Sequence, residues 1–451
     1  MRNLEEFFLE PGCSHNREKT EKERKKGCSK PQPGSASGGC AFDGAQITLL
    51  PIADAVHIVH GPIACAGNSW DNRGTRSSSS DYYRMGFTTD VNEMSVIYGG
   101  EKKLLHAIKE AVEKYKPPAV FVYQTCVPAM IGDDIVSVCK RASEELGLPV
   151  IPVDSPGFAG SKNLGNKLAG DALFRYVIGT KEPKHTTPYD VNLLGEYNIA
   201  GELWQIMPLF QELGINILAC ISGDAKYEDV ATAHRAKVNM VVCSKALLSL
   251  ARKMEEKYGI PYFEGSFYGI KNTSEALRNF AKLLGSEELI EKTEKLIAKK
   301  EEETRQKLKP YIEKLKGKKV LINTGGVKSW SMVSQVQELE MVVVGTSSKK
   351  STKEDKERMF ELLGDDGKLI DDTNPKELVK LCREHKVDVL MAGGRSKFVA
   401  IKEGIPFLDT NQERIKPYAG YDGMIVLAQE LFKTIYSPVF DLYKELPPWQ
   451  Y

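Results

Sequence analysis

Short apolar runs that alternate with helical patterns are the feature that most constrains the fold of this chain. Runs such as Ala55–Ile58 and Ala119–Val122 are rich in β-branched residues and bounded by Gly or Pro, which is typical of buried parallel strands. Amphipathic stretches such as Glu101–Tyr115 and Asp133–Glu145 lie between them and predict helices. Repeated strand–helix alternation predicts an α/β fold built on doubly wound parallel sheets.

The alternation divides the chain into an arm and three α/β domains. Residues 1–37 are rich in charge, Gly, Pro and Ser and lack the apolar surface needed to fold alone, so they predict an N-terminal arm. The polar linker TKEPKHTTP ends the first domain, 38–188. The second domain, 189–316, ends in a highly charged helix, and the third domain is 317–451.

Each domain is predicted to hold one sheet. The predicted strands lie near 56–59, 95–97, 120–123 and 150–153, then 191–194, 215–219, 238–242 and 262–263, and finally 319–323, 341–344, 387–391 and 406–408. Ligands of open parallel sheets bind outside the carboxyl ends of the strands. The residues that follow these strands are therefore the candidates for a functional site.

Composition and charge exclude several classes of function. The chain has 451 residues, of which 41% are hydrophobic and 27% charged, as in an ordinary globular protein. A net charge of +1 gives no general electrostatic case for binding nucleic acid. The sequence has no long apolar run and no signal-peptide pattern, so we expect a cytoplasmic protein that does not enter the membrane. Nine cysteines without a disulfide-like pattern favour thiols or metal ligands.

Three cysteines lie in loops that the first predicted sheet brings to one edge. Cys65 and Cys126 each follow an apolar strand, and Cys40 lies in the glycine-rich turn SGGCAFDGA, where glycine lets the backbone turn sharply. Three thiolates at one edge favour a soft-metal site, above all an iron–sulfur site. The alternative, three buried structural cysteines, stays open because no CxxC pair is present.

A fourth candidate cysteine lies at a strand-to-helix turn of the second domain. In VNMVVCSKA, Cys243 follows an apolar strand and precedes a helix that begins near Ser244. A helix N-terminus lowers the pKa of a thiol and favours a thiolate ligand. The alternative is a buried small hydrophobe, which is how we interpret Cys139, Cys220 and Cys382.

Two glycine-rich turns follow strands of the third domain. NTGGVKSW carries Lys328, and MAGGRSKF carries Arg395 and Lys397. Such turns expose backbone N–H groups at a helix N-terminus and bind anions. Neither turn matches a dinucleotide fingerprint or a P-loop, so the pair predicts an anionic ligand other than NAD or ATP.

Together these segments resemble the molybdenum–iron nitrogenase α-subunit superfamily. The similarity is carried by HGPIACAGNSWDNRGTRS, VFVYQTCVPAMIGDD, VNMVVCSKA, TGGVKSW and IPFLDTNQER, and it covers the chain from about Lys25 onward. The motif KKGCSKPQPGSASGGCAFDGAQ is specific to a scaffold branch of this superfamily that matures the iron–molybdenum cofactor. The resemblance implies three Rossmann-like domains around a central cofactor cleft.

The resemblance also implies roles for individual residues. Cys40, Cys65 and Cys126 would hold a [4Fe–4S] cluster at a subunit interface, with the fourth thiolate from a NifN-like subunit of a heterotetramer. Cys243 would anchor the iron–sulfur precursor of the cofactor through a terminal iron. Other positions that would face the cofactor, and whose charges suit an anionic cluster and its organic acid, are Arg73, Lys328 and Arg395.

Two positions depart from the catalytic nitrogenase subunit. Asn411 in IPFLDTNQER and Asn166 in NLGNKL stand where the catalytic subunit has histidines beside its cofactor. An amide binds a transition metal less well than imidazole and cannot relay a proton near neutral pH. With one thiolate anchor and no imidazole, a cluster would be held loosely enough to be handed on. His57 and His60 flank a strand, and we interpret them as packing residues.

The resemblance therefore favours an assembly scaffold over an enzyme. The chain would receive a precursor from NifB, hold it while molybdenum and homocitrate are added with the help of the iron protein NifH, and pass the finished cofactor to the nitrogenase catalytic component. The alternative is a reductase, either a nitrogenase α subunit or the related dark protochlorophyllide reductase. Asn166 and Asn411 argue against the first, and Cys243 argues against the second. A metal-free binding protein is a third interpretation.

Overall fold

A computed structural model describes most of the chain. The described residues are 39–70, 76–78, 86–242, 244–324, 328–347, 353–364, 368–370, 375–411 and 413–442. The predicted N-terminal arm, Arg73 and Cys243 lie outside them. Within the described part of the chain, no helix has the length and apolar character needed to cross a membrane.

The first sheet has four parallel strands in the order β2-β1-β3-β4. Its part of the chain contains α1 (Ala41–Leu49), β1 (Val56–His60), α2 (Ile63–Trp70), β2 (Phe87–Thr88), α3 (Glu93–Tyr98), α4 (Glu101–Tyr115), β3 (Val120–Gln124), α5 (Cys126–Ile131), α6 (Ile135–Leu146), β4 (Val150–Asp154), a 3-10 helix (Gly157–Ala159) and α7 (Lys162–Tyr176). Every residue of β1 and β3 is buried. Such burial is expected of central parallel strands that helices cover on both faces.

The second sheet also has four parallel strands, in the order β6-β5-β7-β8. Its elements are β5 (Asp190–Glu196), α8 (Glu202–Leu213), β6 (Asn216–Ser222), α9 (Tyr227–Thr232), a 3-10 helix (Ala233–Arg235), β7 (Val238–Val241), α10 (Ser244–Tyr258) and β8 (Tyr262–Glu264). Two helices follow it, α11 (Ile270–Leu284) and the long α12 (Glu287–Leu315). The long helix is the one that the charged pattern predicts.

The third sheet has five parallel strands in the order β11-β10-β9-β12-β13. Its elements are β9 (Lys319–Asn323), α13 (Lys328–Gln337), β10 (Val342–Ser347), α14 (Lys353–Leu363), β11 (Lys368–Ile370), α15 (Pro375–His385), β12 (Val389–Ala392), a 3-10 helix (Gly394–Ser396), α16 (Lys397–Lys402), β13 (Phe407–Asp409), α17 (Gly420–Ile435) and α18 (Val439–Leu442). The α/β class with parallel sheets, predicted from the alternation, is confirmed.

The chain divides into two compact units. One comprises Gly38–Gly265 and Arg278–Thr293 and holds the first two sheets. The described residues of the other fall in Ser266–Leu277 and Glu294–Tyr451 and hold the third sheet. The three sheets fall one in each of the three α/β segments that the sequence predicts.

The strand order reverses once in each sheet, and ligands bind at such reversals. The reversals lie between β1 and β3, between β5 and β7, and between β9 and β12. Cys65 follows β1, and Cys126 begins the helix after β3. Lys328 begins the helix after β9, and Arg395 lies in the turn after β12. In the second sheet, Cys243 follows β7 in sequence. These five predicted site residues therefore follow the strands that border the reversals, whereas Asn411 follows the edge strand β13 and Asn166 lies within α7.

One predicted strand is wrong. Residues 95–97 lie in α3, where the Asn92 side chain caps the helix by accepting a hydrogen bond from Ser95 N at 3.2 Å. The edge strand of the first sheet is instead β2, in which Phe87 pairs with Ile58. A short apolar run does not by itself distinguish a strand from a helix, and here the N-cap decides the outcome.

The helices α1 and α7 pack closely through two glycines. A Cβ atom on Gly44 would lie 1.9 Å from the Lys162 carbonyl oxygen, and one on Gly165 would lie 1.8 Å from the Ala41 carbonyl oxygen. Backbone atoms cannot move aside as a flexible side chain can. Both positions therefore require the absence of a side chain.

We expect Gly165→Ala to lower the free energy of unfolding by about 1–3 kcal/mol, because the new methyl group overpacks the contact between α1 and α7. Thermal unfolding of the purified protein measures the loss. Gly170→Ala in the same helix is the matched control, since its Cβ would meet only side-chain atoms, Leu247 Cδ2 at 3.1 Å and Leu250 Cβ at 3.5 Å. Equal unfolding temperatures for the two variants would contradict the importance of this close contact.

Candidate metal centre

The first sheet delivers Cys65 and Cys126 to one edge. The strands β1 and β3 are parallel neighbours, with His60 opposite Gln124 at their carboxyl ends. Cys126 is the first residue of α5, and Cys65 lies in the first turn of α2. The predicted placement of both cysteines at the same edge is confirmed.

Cys40 reaches the same edge through backbone pairing. It forms an isolated antiparallel bridge with Ser161, and the Gly39 carbonyl accepts a hydrogen bond from Lys162 N at 2.8 Å. Cys40 is also the N-cap residue of α1, with φ −81° and ψ 178°. The predicted glycine-rich turn therefore leads directly into a helix and is held beside the segment that follows β4.

Gly157 brings two of the sulfur atoms close to one point. A Cβ atom on Gly157 would lie 3.0 Å from Cys126 Sγ and 3.2 Å from Cys40 Sγ. The two sulfur atoms are therefore no farther apart than the sum of these two distances. Because Gly157 has no side chain, the space between the two thiols stays open.

The Cys65 thiol interacts electrostatically with the other two. Burial raises the pKa of Cys65, and Cys126 and Cys40 raise it further, whereas a hydrogen bond with the Thr125 side chain lowers it. The three groups are thus near enough to repel one another as thiolates. The positive charge of bound iron would offset this repulsion and keep the coordinating thiols deprotonated.

The arrangement of the thiols fits a cluster better than a single ion. Among the residues that the structure describes, no group of three or more His, Cys, Asp or Glu side chains is arranged to hold one metal ion. In an iron–sulfur cubane each thiolate binds a different iron, so the thiolates stand apart around it. Four thiolates hold such a cluster, so a cluster at these three cysteines needs one ligand from elsewhere.

The three thiols lie beside exposed apolar side chains. Cys40 is exposed, and Cys65 and Cys126 are half-buried. The helix α3 packs against α5, which begins at Cys126. The apolar residues on the bordering segments that are more than half exposed are Ile63, Met94, Ile97, Tyr98, Met130 and Phe158. We call these six residues the apolar rim, and exposed groups of this kind mark protein–protein interfaces.

His57 and His60 use both ring nitrogens inside the fold. His57 Nδ1 lies 2.8 Å from the Tyr123 hydroxyl and Nε2 3.1 Å from the Ile52 carbonyl, and burial lowers the pKa of His57 to about 4. His60 Nε2 lies 3.0 Å from a carboxylate oxygen of Asp133, and burial lowers the pKa of His60 despite that contact. The prediction that both histidines are packing residues is confirmed.

Lys328, Arg395 and Asn411 lie at the carboxyl edge of the third sheet. They follow β9, β12 and β13, which are consecutive strands of that sheet. A Cβ atom on Gly393 would lie 3.0 Å from Asn411 Nδ2, so the Asn411 side chain lies against the glycine turn that leads to Arg395. Arg395 is exposed, and the structure describes only the backbone of Lys328.

Asn166 is buried between α1 and α7. Its side-chain oxygen accepts a hydrogen bond from the Thr48 hydroxyl at 3.2 Å, and the same hydroxyl lies 3.0 Å from the Gly44 carbonyl. The exposed fraction of Asn166 is 9%. The amide thus joins two helices of the first domain, and its role beside a cofactor stays a prediction.

The remaining cysteines in the described part of the chain belong to the core, as predicted. Cys139, Cys220 and Cys382 are all buried. Burial raises the pKa of Cys139 and of Cys382 to about 12, and it raises the pKa of Cys220 well above its ordinary value. These thiols therefore stay protonated and act as small hydrophobic groups.

Two residues of this region were not among the sequence candidates. Gly157 follows β4 by three residues, so the rule that ligands lie at strand ends could have pointed to it. Asp133 lies in the loop between α5 and α6, and its sequence context, GDD, gives no signal that its carboxylate lies against a buried histidine.

Comparison with known proteins places the chain in a family. Residues 40–436 match the family model described as nitrogenase component 1 type oxidoreductase, and the chain belongs to this family. A solved structure titled "Nitrogenase Cp1 at pH 5" superposes with a TM-score of 0.85 and 31% identity over 93% of this chain and 92% of that chain. The predicted nitrogenase component 1 fold is confirmed.

Within the family, the chain is similar to proteins named nitrogenase iron-molybdenum cofactor biosynthesis protein NifE. It is 55% identical to the protein from Bradyrhizobium diazoefficiens, over 99% of this chain and 83% of that protein. It is 56% identical to the protein from Nostoc sp., over 99% of this chain and 93% of that protein. For Klebsiella pneumoniae the identity is 50% over 98% of both. The resemblance to the scaffold branch, predicted from the sequence, is confirmed.

Proposed function

We propose that this chain is a scaffold for maturation of the nitrogenase iron–molybdenum cofactor. It receives an iron–sulfur precursor from NifB and holds it while molybdenum and homocitrate are added with the help of NifH. It then passes the finished cofactor to the nitrogenase catalytic component. The observation that carries the proposal is the similarity, over nearly the whole chain, to proteins named for the biosynthesis of that cofactor.

The interface cluster is the resident cofactor of this proposal. Cys40, Cys65 and Cys126 supply three thiolates to a [4Fe–4S] cluster, and a NifN-like subunit supplies the fourth in a heterotetramer. The proposal is supported by the approach of Cys40 and Cys126 to the open space at Gly157 and by the electrostatic interaction of Cys65 with both. It is also supported by the apolar rim, which suits a partner subunit that would cover the cluster. Such a cluster supplies one-electron redox chemistry and a covalent link between the subunits.

The cofactor precursor is the cargo and is held by a separate set of residues. Cys243 anchors it through one iron, while the charges of Arg73, Lys328 and Arg395 attract its anionic groups. Asn166 and Asn411 offer neutral amides in place of imidazoles, so the cargo has one strong anchor. A single anchor favours release to the acceptor protein.

The test is anaerobic purification of the chain with its NifN-like partner, followed by iron, sulfide and molybdenum analysis. We expect a brown complex with acid-labile sulfide that activates cofactor-free nitrogenase when NifH, molybdate and homocitrate are supplied. A complex that reduces dinitrogen or protochlorophyllide by itself would favour the alternative, a nitrogenase-like reductase. A colourless complex without iron would contradict both.

We expect Gly157→Ala to remove most of the interface cluster without unfolding the protein. Its methyl group would occupy the space between Cys40 Sγ and Cys126 Sγ, where only 3.0–3.2 Å is available. Iron per tetramer and the paramagnetic signal of the reduced cluster measure the loss. Gly67→Ala in α2 is the control, because its Cβ would meet nothing within 4 Å, and it should keep its iron. Full iron in Gly157→Ala would contradict a cluster at this point.

A further inference from the structure

A buried hydrogen-bond network lies beneath the loops that carry Cys65 and Cys126. At its centre, the Asp133 carboxylate accepts from Gly100 N at 2.9 Å and 3.2 Å and lies 3.0 Å from His60 Nε2. The other ring nitrogen of His60 lies 2.9 Å from the Thr89 hydroxyl. The side chains of His60 and Asp133 are 0% and 4% exposed, so water does not compete for these bonds.

The network makes contact with the cysteine loops through Thr125. This residue precedes Cys126, and both its hydroxyl and its backbone N–H donate to the His60 carbonyl, at 2.9 Å and 3.1 Å. The Thr125 side chain also lies near enough to the Cys65 thiol to lower its pKa. A displacement of His60 would therefore be transmitted to both cysteines.

The same network fixes the end of α3, which carries part of the apolar rim. A Cβ atom on Gly100 would lie 2.5 Å from the Asp133 carboxylate and 2.9 Å from His60 Cε1. The backbone after α3 thus approaches as closely as a glycine permits. On α3 the exposed apolar side chains are Met94, Ile97 and Tyr98. The network joins the rim to the cysteine loops within one unit.

We infer that Asp133 and His60 are a positioning pair, which holds the Cys65 and Cys126 loops in place for a cluster and links them to the partner-facing helix α3. The inference rests on the proposed function, since it concerns the cluster that these cysteines would hold. Partners that orient metal ligands commonly change metal affinity by about 10–100-fold when they are replaced. Neither residue touches the metal in this account, and both act through Thr125 and the loop backbones.

The test uses Asp133→Asn and His60→Gln in the complex with the NifN-like partner. Asparagine keeps the size of Asp133 but replaces one acceptor oxygen with an NH2 donor and removes the negative charge, so it weakens the hydrogen bonds that Gly100 N and His60 make with the carboxylate. Anaerobic transfer of iron to a chelator is the readout. We expect iron to leave each variant about tenfold faster than the wild type, together with a changed paramagnetic signal of the reduced cluster.

The matched control is His57→Gln. His57 is buried on the same strand and makes two hydrogen bonds of its own, but none with Asp133. It should lose iron at the wild-type rate, even where thermal unfolding shows a loss of stability. The double variant Asp133→Asn/His60→Gln should lose iron no faster than Asp133→Asn alone, because the two residues act as a unit.

Three outcomes would overturn the inference. Suppose that Asp133→Asn and His60→Gln lose iron at the wild-type rate while Cys65→Ala lacks the cluster. That result would refute the positioning pair and leave the proposed function standing. Equally fast iron loss in His57→Gln would show that the network contributes only to the general stability of the fold. Full iron content in the Cys65→Ala complex would refute the proposed cluster and the inference together. If Asp133→Asn does not fold, His60→Gln and its control decide the matter.

Discussion

Cys65→Ala or Cys126→Ala is expected to abolish the interface cluster and to weaken the association with the NifN-like subunit. Each substitution leaves two thiolates from this chain and one from the partner, and a cubane with one iron atom lacking its protein thiolate is easily lost. Iron and sulfide per tetramer, together with the paramagnetic signal of the reduced cubane, measure the first effect. Sedimentation of the complex measures the second.

Cys139→Ala is the control for these two variants. Cys139 is buried in α6 and makes no contribution to the candidate site, so its loss should cost stability but no iron. Full iron content in both Cys65→Ala and Cys126→Ala would show that these thiols are not ligands. Iron loss in all three variants would instead indicate that the protein had unfolded.

Asn411→His is expected to slow the release of the finished cofactor and to raise the molybdenum content of the scaffold. Imidazole binds a transition metal better than an amide does, and about 1.4 kcal/mol of additional binding changes the equilibrium tenfold. The backbone at this position is fixed, since Asn411 N donates to Asp409 at 2.8 Å and the Arg414 guanidinium donates to the Asn411 carbonyl. A histidine at position 411 would therefore have the same backbone conformation as Asn411.

The measurement for Asn411→His pairs molybdenum per tetramer with the rate at which cofactor-free nitrogenase becomes active. Asn411→Gln is the control, because it changes the length of the side chain but keeps the amide. The histidine variant should not gain substantial dinitrogen reduction, since Asn166 still lacks an imidazole. Unchanged molybdenum retention and an unchanged rate of cofactor transfer would contradict the proposal that the absence of this histidine allows the cofactor to be released.

The placement of Cys65 and Cys126 could be predicted from the sequence because it follows from a general property of parallel sheets. Once two β-branched runs are taken as neighbouring strands, their carboxyl ends must lie at one edge, and the residues after them must meet there. The structure has this pairing between β1 and β3. The same argument placed Lys328 and Arg395 at the edge of the third sheet, whereas Asn411 was identified from the family resemblance.

The details that fix the distances at the site could not be predicted in this way. The approach of Gly157 to Cys40 and Cys126 depends on how the turn after β4 lies over α1, which no local pattern specifies. The pairing of Asp133 with His60 joins residues 73 positions apart and depends on tertiary packing.

The error at residues 95–97 has a related cause. The apolar residues of α3 that suggested a buried strand are exposed, Val96 at 46% and Ile97 at 69%. Hydrophobic periodicity assumes that apolar side chains face the core of their own chain. That assumption fails where they face a partner, which is the situation that we propose for the apolar rim.

Transfer of labelled molybdenum tests the scaffold role most directly. The complex is loaded with a molybdenum isotope and homocitrate in the presence of NifH, mixed with the cofactor-free nitrogenase catalytic component, and separated from it again. We predict that the label moves to the catalytic component in proportion to the dinitrogen-reducing activity that it gains. Label that stays on the complex while the catalytic component remains inactive would contradict the account.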